Sequence, residues 1–110
     1  MATIEDFMNL DIRVGRIIEV QIHEAATKPM YILKVDLGQE IGERTIVAGI
    51  RDHYIMGGLE NKRIICIVNL EPRKIAGVES QGMLLAAEDD QGNVVLLTTD
   101  SEIKEGSKIR

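Results

Sequence analysis

Aromatic residues are scarce in this chain: Phe7, Tyr31 and Tyr54 are the whole set, and tryptophan is missing. A protein that reads bases by stacking needs an aromatic face for each, worth about 1–3 kcal/mol per base. Any nucleic acid held here is therefore stacked once or twice at most. Cysteine occurs once, as Cys66, which excludes an internal disulfide framework and a cysteine-rich metal site. It stands in the run Ile64-Ile65-Cys66-Ile67-Val68, where a free thiol behaves as a small buried hydrophobe. The two histidines, His23 and His53, lie far apart with no second ligand at metal-binding spacing, so neither reads as a metal ligand or a catalytic base. No Ser/His/Asp order, paired-carboxylate spacing or phosphate-cradling glycine loop is found, and Gly57-Gly58 has no strand-to-helix context. The expectation is a binding module rather than an enzyme, with no metal and no cofactor. Apolar runs fall well short of the roughly 20 residues of a membrane span. The segment from Met1 to Leu10 carries Glu5 and Asp6 and no basic start before an apolar stretch, so no secretory signal is expected. A cytoplasmic protein with no membrane partner follows, built as one domain over residues 1–110.

Positive charge is also in deficit, with 13 basic against 18 acidic residues and a net charge of −5. That balance opposes a polyanionic partner, because affinity for nucleic acid rests on Lys and Arg neutralising phosphates. The distribution softens the objection. Residues 1–43 carry four basic and eight acidic side chains, and residues 75–110 carry three and seven. Between them the balance reverses: Arg44, Arg51, Lys62, Arg63, Arg73 and Lys74 stand against Asp52, Glu60 and Glu71. A local basic surface on an acidic protein still steers an anion.

What is present in quantity is short stretches of β-branched and aliphatic residues. From Leu10 to Ile22 apolar and polar residues alternate with period two, predicting a strand with a bulge or bend at Gly15. His23 to Met30 contains Pro29 and no periodicity, so it is a connection. Tyr31, Leu33, Val35 and Leu37 predict a second strand ending at Gly38, and Thr45 to Ile50 a third after a turn around Gly42. Arg51 to Leu59 predicts a short helical or irregular excursion. Arg63 to Val68, nearly all apolar, predicts a strand buried on both faces. Asn69 to Ile75 contains Pro72 between charges and reads as a loop or edge segment. Gly82 to Ala87 and Asn93 to Leu97 predict the last two strands, joined by a turn at Asp89-Asp90-Gln91-Gly92. The pattern indicates a small all-β barrel or sandwich. Five to six strands with short helical excursions fit an OB-fold, a Greek-key barrel, best.

Two stretches carry a resemblance. Glu43-Arg44-Thr45-Ile46-Val47-Ala48-Gly49-Ile50 and the run from Val68 through Asn69-Leu70-Glu71-Pro72-Arg73-Lys74-Ile75-Ala76-Gly77-Val78-Glu79-Ser80-Gln81-Gly82-Met83 to Glu88 resemble the tRNA-binding domain family. That family is found at the C-terminus of methionyl-tRNA synthetases, in free-standing structure-specific tRNA-binding proteins and in the CsaA chaperones. Leu10 to Gly15 and Gly106 to Ile109 are similar to its two ends, so the likeness covers almost the whole chain. Its specific part is Gly77 to Met83.

The resemblance implies an OB barrel, homodimers among free-standing members, and tRNA gripped by shape. It assigns RNA contact to Ser80, Gln81, Gly82 and Met83, a basic pair to Arg73 and Lys74, and a loop-orienting role to Asn69; Arg44 and Arg51 supply further positive charge. His23-Glu24-Ala25-Ala26-Thr27-Lys28-Pro29-Met30 departs from the synthetase pattern. It is one residue longer and closer to the CsaA spacing, and it is left outside the implied contact set. The implied partners are tRNA, a second copy of the chain and a methionyl-tRNA synthetase. The alternative is a CsaA-like chaperone that binds unfolded or exported polypeptides.

Blander roles stay open beside these. Ser80-Gln81-Gly82 is also a good strand-starting turn, Met83 a good core filler, Asn69 a side chain able to orient its own loop, and Arg73-Lys74 an ordinary solvated pair. Gly15, Gly77 and Gly82 read as structural.

Overall fold

A computed structural model describes residues 1–110. It opens with a short helix that sequence reading did not anticipate, α1 (Ile4–Met8). The Thr3 side chain accepts a hydrogen bond from the Asp6 backbone N–H, and the Asp6 carboxylate accepts one from Thr3 N–H at 2.8 Å. This reciprocal cap satisfies two of the orphan donors at the helix start.

The alternating segment forms β1 (Ile12–Ile22), which pairs on one side with β2 (Tyr31–Asp36) and on the other with β4 (Arg63–Ile67). Beyond β2 lies β3 (Glu43–Ala48), reached through a four-residue helical turn, α2 (Gly38–Ile41), where only a turn at Gly42 was expected. A 3-10 turn at Met56–Gly58 lies within the predicted excursion. Beyond β4 lies β7 (Met83–Leu84), and the five strands run in the order β3-β2-β1-β4-β7.

The sheet curls until β7 approaches β3. There the Gln81 N–H donates to Thr45 O at 2.8 Å, and the Thr45 N–H donates to the Gln81 side-chain carbonyl at 3.0 Å. A side-chain amide completes the ladder, and the result is the nearly closed five-stranded OB-like barrel that the sequence implied.

The bulge in β1 is displaced from its expected position. Register shifts between Ile17 and Glu19, so the extra residue is Ile18 rather than Gly15. Gly15 stands in regular register opposite Ile64, and a Cβ there would come within 2.6 Å of the Val35 side chain and 2.9 Å of Leu37. It is glycine because β1 packs against β2 side chains at that point, not because the strand bends.

Two apolar clusters share β4 between them. Ile64 and Cys66 join Ile17, Leu33, Val35 and Ile46 inside the barrel, while Ile65 and Ile67 join Ile12 and Val14 in a second cluster covered by Phe7, Leu85 and Ile109. The expectation of a strand buried on both faces is met. Each such side chain contributes on the order of 1.5–3 kcal/mol by leaving water. Burial also pushes the Cys66 thiol up to about 12, which keeps it protonated and unreactive.

The region after β4 differs most from expectation. Asn69 to Ile75 is not simply a loop: β5 (Arg73–Ile75) and β6 (Val78–Ser80) form a hairpin through Ala76-Gly77, with φ of 47° and 87° at those two residues. Two consecutive left-handed residues are what a tight two-residue hairpin connection demands. The predicted strand Gly82 to Ala87 is divided in two, because Leu85 turns into the second cluster and separates β7 from β8 (Ala86–Glu88). That strand pairs with β9 (Val94–Leu96) across the expected Asp89–Gly92 turn.

Candidate nucleic-acid interface

The β5–β6 hairpin, β3 and the start of β7 enclose a cleft of about 320 Å³. Val47 forms its floor, Leu70 and Ile75 its apolar flank, and Arg73, Glu71 and Met83 its rim. Ser80 and Gly82 complete the lining.

Several residues read from the sequence as RNA contacts turn out to build the walls. Ser80 is only 5% exposed. Its hydroxyl accepts from the Val47 N–H at 3.0 Å and donates to Gly82 O at 3.2 Å. A hydroxyl has one proton, so Ser80 has no spare donor for a ligand and instead fastens β6 to β3. Gly82 is required by close approach, since a Cβ there would lie 2.9 Å from Ile67 O. Arg44 spans the seam of the barrel, its guanidinium donating to the carbonyls of Val68 and Gln81. Gln81 spends its backbone N–H and side-chain carbonyl on Thr45 and keeps its side-chain NH2 without a protein partner. Asn69 orients a segment other than its own loop: its carbonyl accepts from Asp11 N–H and its NH2 donates to Asn9 O, both at 2.8 Å.

The remaining members are exposed. Met83, at 47% exposure, is a rim residue rather than a core filler. Arg73 lines the cleft, but Lys74 does not, because successive side chains of a strand point to opposite faces. Lys74 stands across from Glu79 on the other face of the hairpin. The basic pair therefore divides between two faces. Arg51 is exposed in the turn after β3, also outside the cleft.

None of the three aromatic side chains lines the cleft. Tyr31 is buried and its hydroxyl donates to Tyr54 O at 2.6 Å; the Tyr54 hydroxyl accepts from Leu96 N–H at 3.0 Å; Phe7 packs on the second apolar cluster. The one or two stacking faces that composition allowed are all used in holding the fold.

The electrostatic asymmetry sharpens that of the sequence. Arg13 meets Asp11 at 2.6 Å and Glu40 at 3.0 Å, Arg16 meets Glu105 at 3.1 Å, and Arg63 meets Glu105 at 3.3 Å. The hydrogen bond that Arg13 donates to the Asp11 carboxylate raises the pKa of its guanidinium against the opposing effect of burial. Lys62 lies over the Tyr54 ring at 5.9 Å. Of the six basic residues in the middle third, Arg63 is thus neutralised, whereas Arg51, Arg73 and Lys74 are in no ion pair. The cleft itself offers the Arg73 guanidinium and the Met83 thioether beside an apolar floor, with the Glu71 carboxylate also in its lining and the Gln81 amide outside it.

Comparison with known proteins agrees with this architecture. Residues 12–108 match the family described as "Putative tRNA binding domain". The chain is 57% identical over 106 residues to methionine–tRNA ligase of Pyrococcus horikoshii, a match covering 96% of this chain and 14% of that protein. Over the same shares it is 53% identical to the ligase of Thermococcus onnurineus. The chain thus spans about one seventh of the length of these relatives. Among solved structures, the CsaA chaperone protein from Picrophilus torridus superposes with a TM-score of 0.93 at 42% identity, covering 100% of both chains. The MetRS related protein from Pyrococcus horikoshii superposes with a TM-score of 0.90 at 36% identity, covering 100% of this chain and 98% of that one. A barrel closed by Gln81, a seam held by Arg44 and a cleft walled by the β5–β6 hairpin belong to a chain of the tRNA-binding domain family.

Proposed function

We propose that this chain binds tRNA, with no chemistry of its own, through the cleft between the β5–β6 hairpin and β7. The observation that carries the proposal is an unpaired Arg73 on the cleft rim of a domain of this family. Arg73 and, from the outer face of the hairpin, Lys74 neutralise phosphates. The free Gln81 NH2 and Met83 meet the sugar edge, and Arg51 extends the positive field beyond β3. Ser80, Gly82, Asn69 and Arg44 act by shaping the backbone. With no aromatic side chain at the cleft, recognition rests on phosphate and 2′-hydroxyl positions, hence on RNA shape rather than sequence. Changing Arg73 and Lys74 together to Ala weakens binding of bulk tRNA about tenfold or more and flattens the salt dependence by up to two phosphate contacts. Filter binding at several salt concentrations, with single-stranded DNA as comparison, measures both; unchanged affinity and slope remove the assignment.

In the cell this activity serves either a free-standing tRNA-binding protein or an accessory part of a methionyl-tRNA synthetase. Met1, Ile4, Met8 and Ile103 are exposed apolar residues in the terminal segments Met1–Asn9 and Thr98–Arg110. They are the expected contacts of a homodimer, which sedimentation at micromolar concentration tests. A second reading is favoured by the apolar floor of the cleft and the full-length likeness to a CsaA chaperone protein: the same cleft holds an extended unfolded polypeptide. Competition separates the two, since a polypeptide that bulk tRNA fails to displace supports the chaperone reading.

A further inference from the structure

Three polar or charged residues are buried: Arg13, Ser80 and His23. Arg13 is held by carboxylates and Ser80 by the cleft wall, whereas His23, 3% exposed, has so far no role. Its own loop fixes its position just past β1. His23 N–H donates to Met30 O at 3.0 Å, and His23 O accepts from Ala26 N–H at 3.2 Å. The ring then reaches across 52 residues of sequence, where Nε2 bonds to Ile75 O at 2.7 Å. A carbonyl only accepts, so Nε2 carries the proton. The neutral ring in that tautomer and the imidazolium make the same bond.

The recipient strand gives this bond its weight. β5 is bonded to β6, and no hydrogen bond other than that of His23 joins it to the rest of the molecule. β6 is fastened at its base through Ser80, but β5 is the outer strand and carries Arg73. Arg73 and Ile75 are two residues apart, hence on one face, and both line the cleft. The same loop supports the tip of the hairpin, because Lys28 and Met30 form a second cleft of about 260 Å³ with Ile75 and Ala76.

We infer that His23 is a positioning residue for RNA binding: its Nε2–H holds β5 against the barrel so that Arg73 is presented to the cleft in one orientation. The inference rests on the tRNA-binding function proposed above. An unanchored strand would leave the guanidinium to be ordered only when RNA binds, at the expense of affinity.

The test uses the full chain with His23→Leu, which keeps an apolar side chain and removes the donor, and His23→Gln, whose amide N–H lies near the reach of Nε2. The leucine variant binds tRNA roughly five- to tenfold more weakly, as expected for losing one positioning hydrogen bond, and the glutamine variant stays within about twofold of the parent. In an Arg73→Ala background His23→Leu costs nothing further, a non-additivity that a general loss of fold does not produce. Amide exchange quickens in β5 and β6 and not at Leu33 in the barrel core. Parental affinity in the leucine variant, additive losses with Arg73→Ala, or a glutamine variant as weak as leucine would overturn the inference. Should His23→Leu fail to fold, His23→Asn, too short to reach Ile75, replaces it against His23→Gln with the same outcomes. A parent chain that binds no tRNA refutes the proposed function instead, and the hairpin exchange still reports whether His23 anchors β5.

Discussion

At the edge where Gly38 meets Gly106, Arg13, Arg16 and Arg63 are each held by carboxylates of Asp11, Asp36, Glu40, Glu102 or Glu105. On the β5–β6 hairpin Arg73 and Lys74 have no such partner, although Glu79 stands across from Lys74. The first group joins the C-terminal segment to β1, β2 and β4 and contributes to the fold. The second is left unpaired and is the contact surface proposed above. Net charge fails to separate these two groups, since an acidic chain retains local positive surface wherever its cations are left unpaired.

The strongest way to break this comparison is to give the hairpin negative charge. Arg73→Glu with Lys74→Glu should lower tRNA affinity about a hundredfold at low salt, since two phosphate contacts become repulsive. Thermal denaturation should be nearly unchanged for two exposed positions. Equal affinity for parent and variant would show that the unpaired cations are not the contact surface.

The reciprocal experiment is Arg63→Gln. Arg63 donates to Ile103 O at 3.1 Å besides meeting Glu105, so its removal should cost about 1–2 kcal/mol of stability in urea denaturation. Affinity of the folded protein for tRNA should stay the same. A drop in affinity without a drop in stability would merge the two groups of cations.

Glu105→Gln gives the smallest effect and a pH signature. The Glu105 carboxyl is held below the ordinary range by its own backbone N–H and by Arg16 and Arg63, against a desolvation that raises it. A carboxylate whose pKa is lowered on folding contributes stability that is complete above its unfolded pKa and fades as pH falls through the folded value. The parent should therefore exceed the variant by about 0.5–1 kcal/mol at neutral pH. That gap should close below about pH 4, where the unfolded chain takes up the proton. A gap independent of pH would mean that Glu105 acts by packing alone.

The strands of the barrel were legible because burial imposes its period on β2 and on much of β1, and Ile64 to Val68 announced a strand with two covered faces. α1 was missed although Thr3-Ile4-Glu5-Asp6 carries the capping pattern, because the usual Glu or Gln of that signature is Asp here. The hairpin was hidden for a related reason. Its turn is Ala76-Gly77 rather than Asn-Gly or Asp-Gly, and Pro72 just before it suggested a loop. The candidate site was legible as a stretch of chain and not as a set of roles. Alternation separates Arg73 from Lys74, but only once Arg73–Ile75 is known to be a strand. Nothing local to Ser80 or Asn69 reveals that their polar atoms are spent on Val47 and on Asn9 and Asp11, since those partners are 33 to 60 residues distant.

The side-chain amide of Gln81 stands in for a backbone peptide where β7 meets β3. A cask with one stave held by a peg rather than by the hoop parts first at the peg, and transient opening between Thr45 and Gln81 ahead of β1, β2 and β4 is the expected consequence. Because Gln81 lies between the cleft-lining Ser80 and Gly82, an occupant that reached its free amide would also brace the joint.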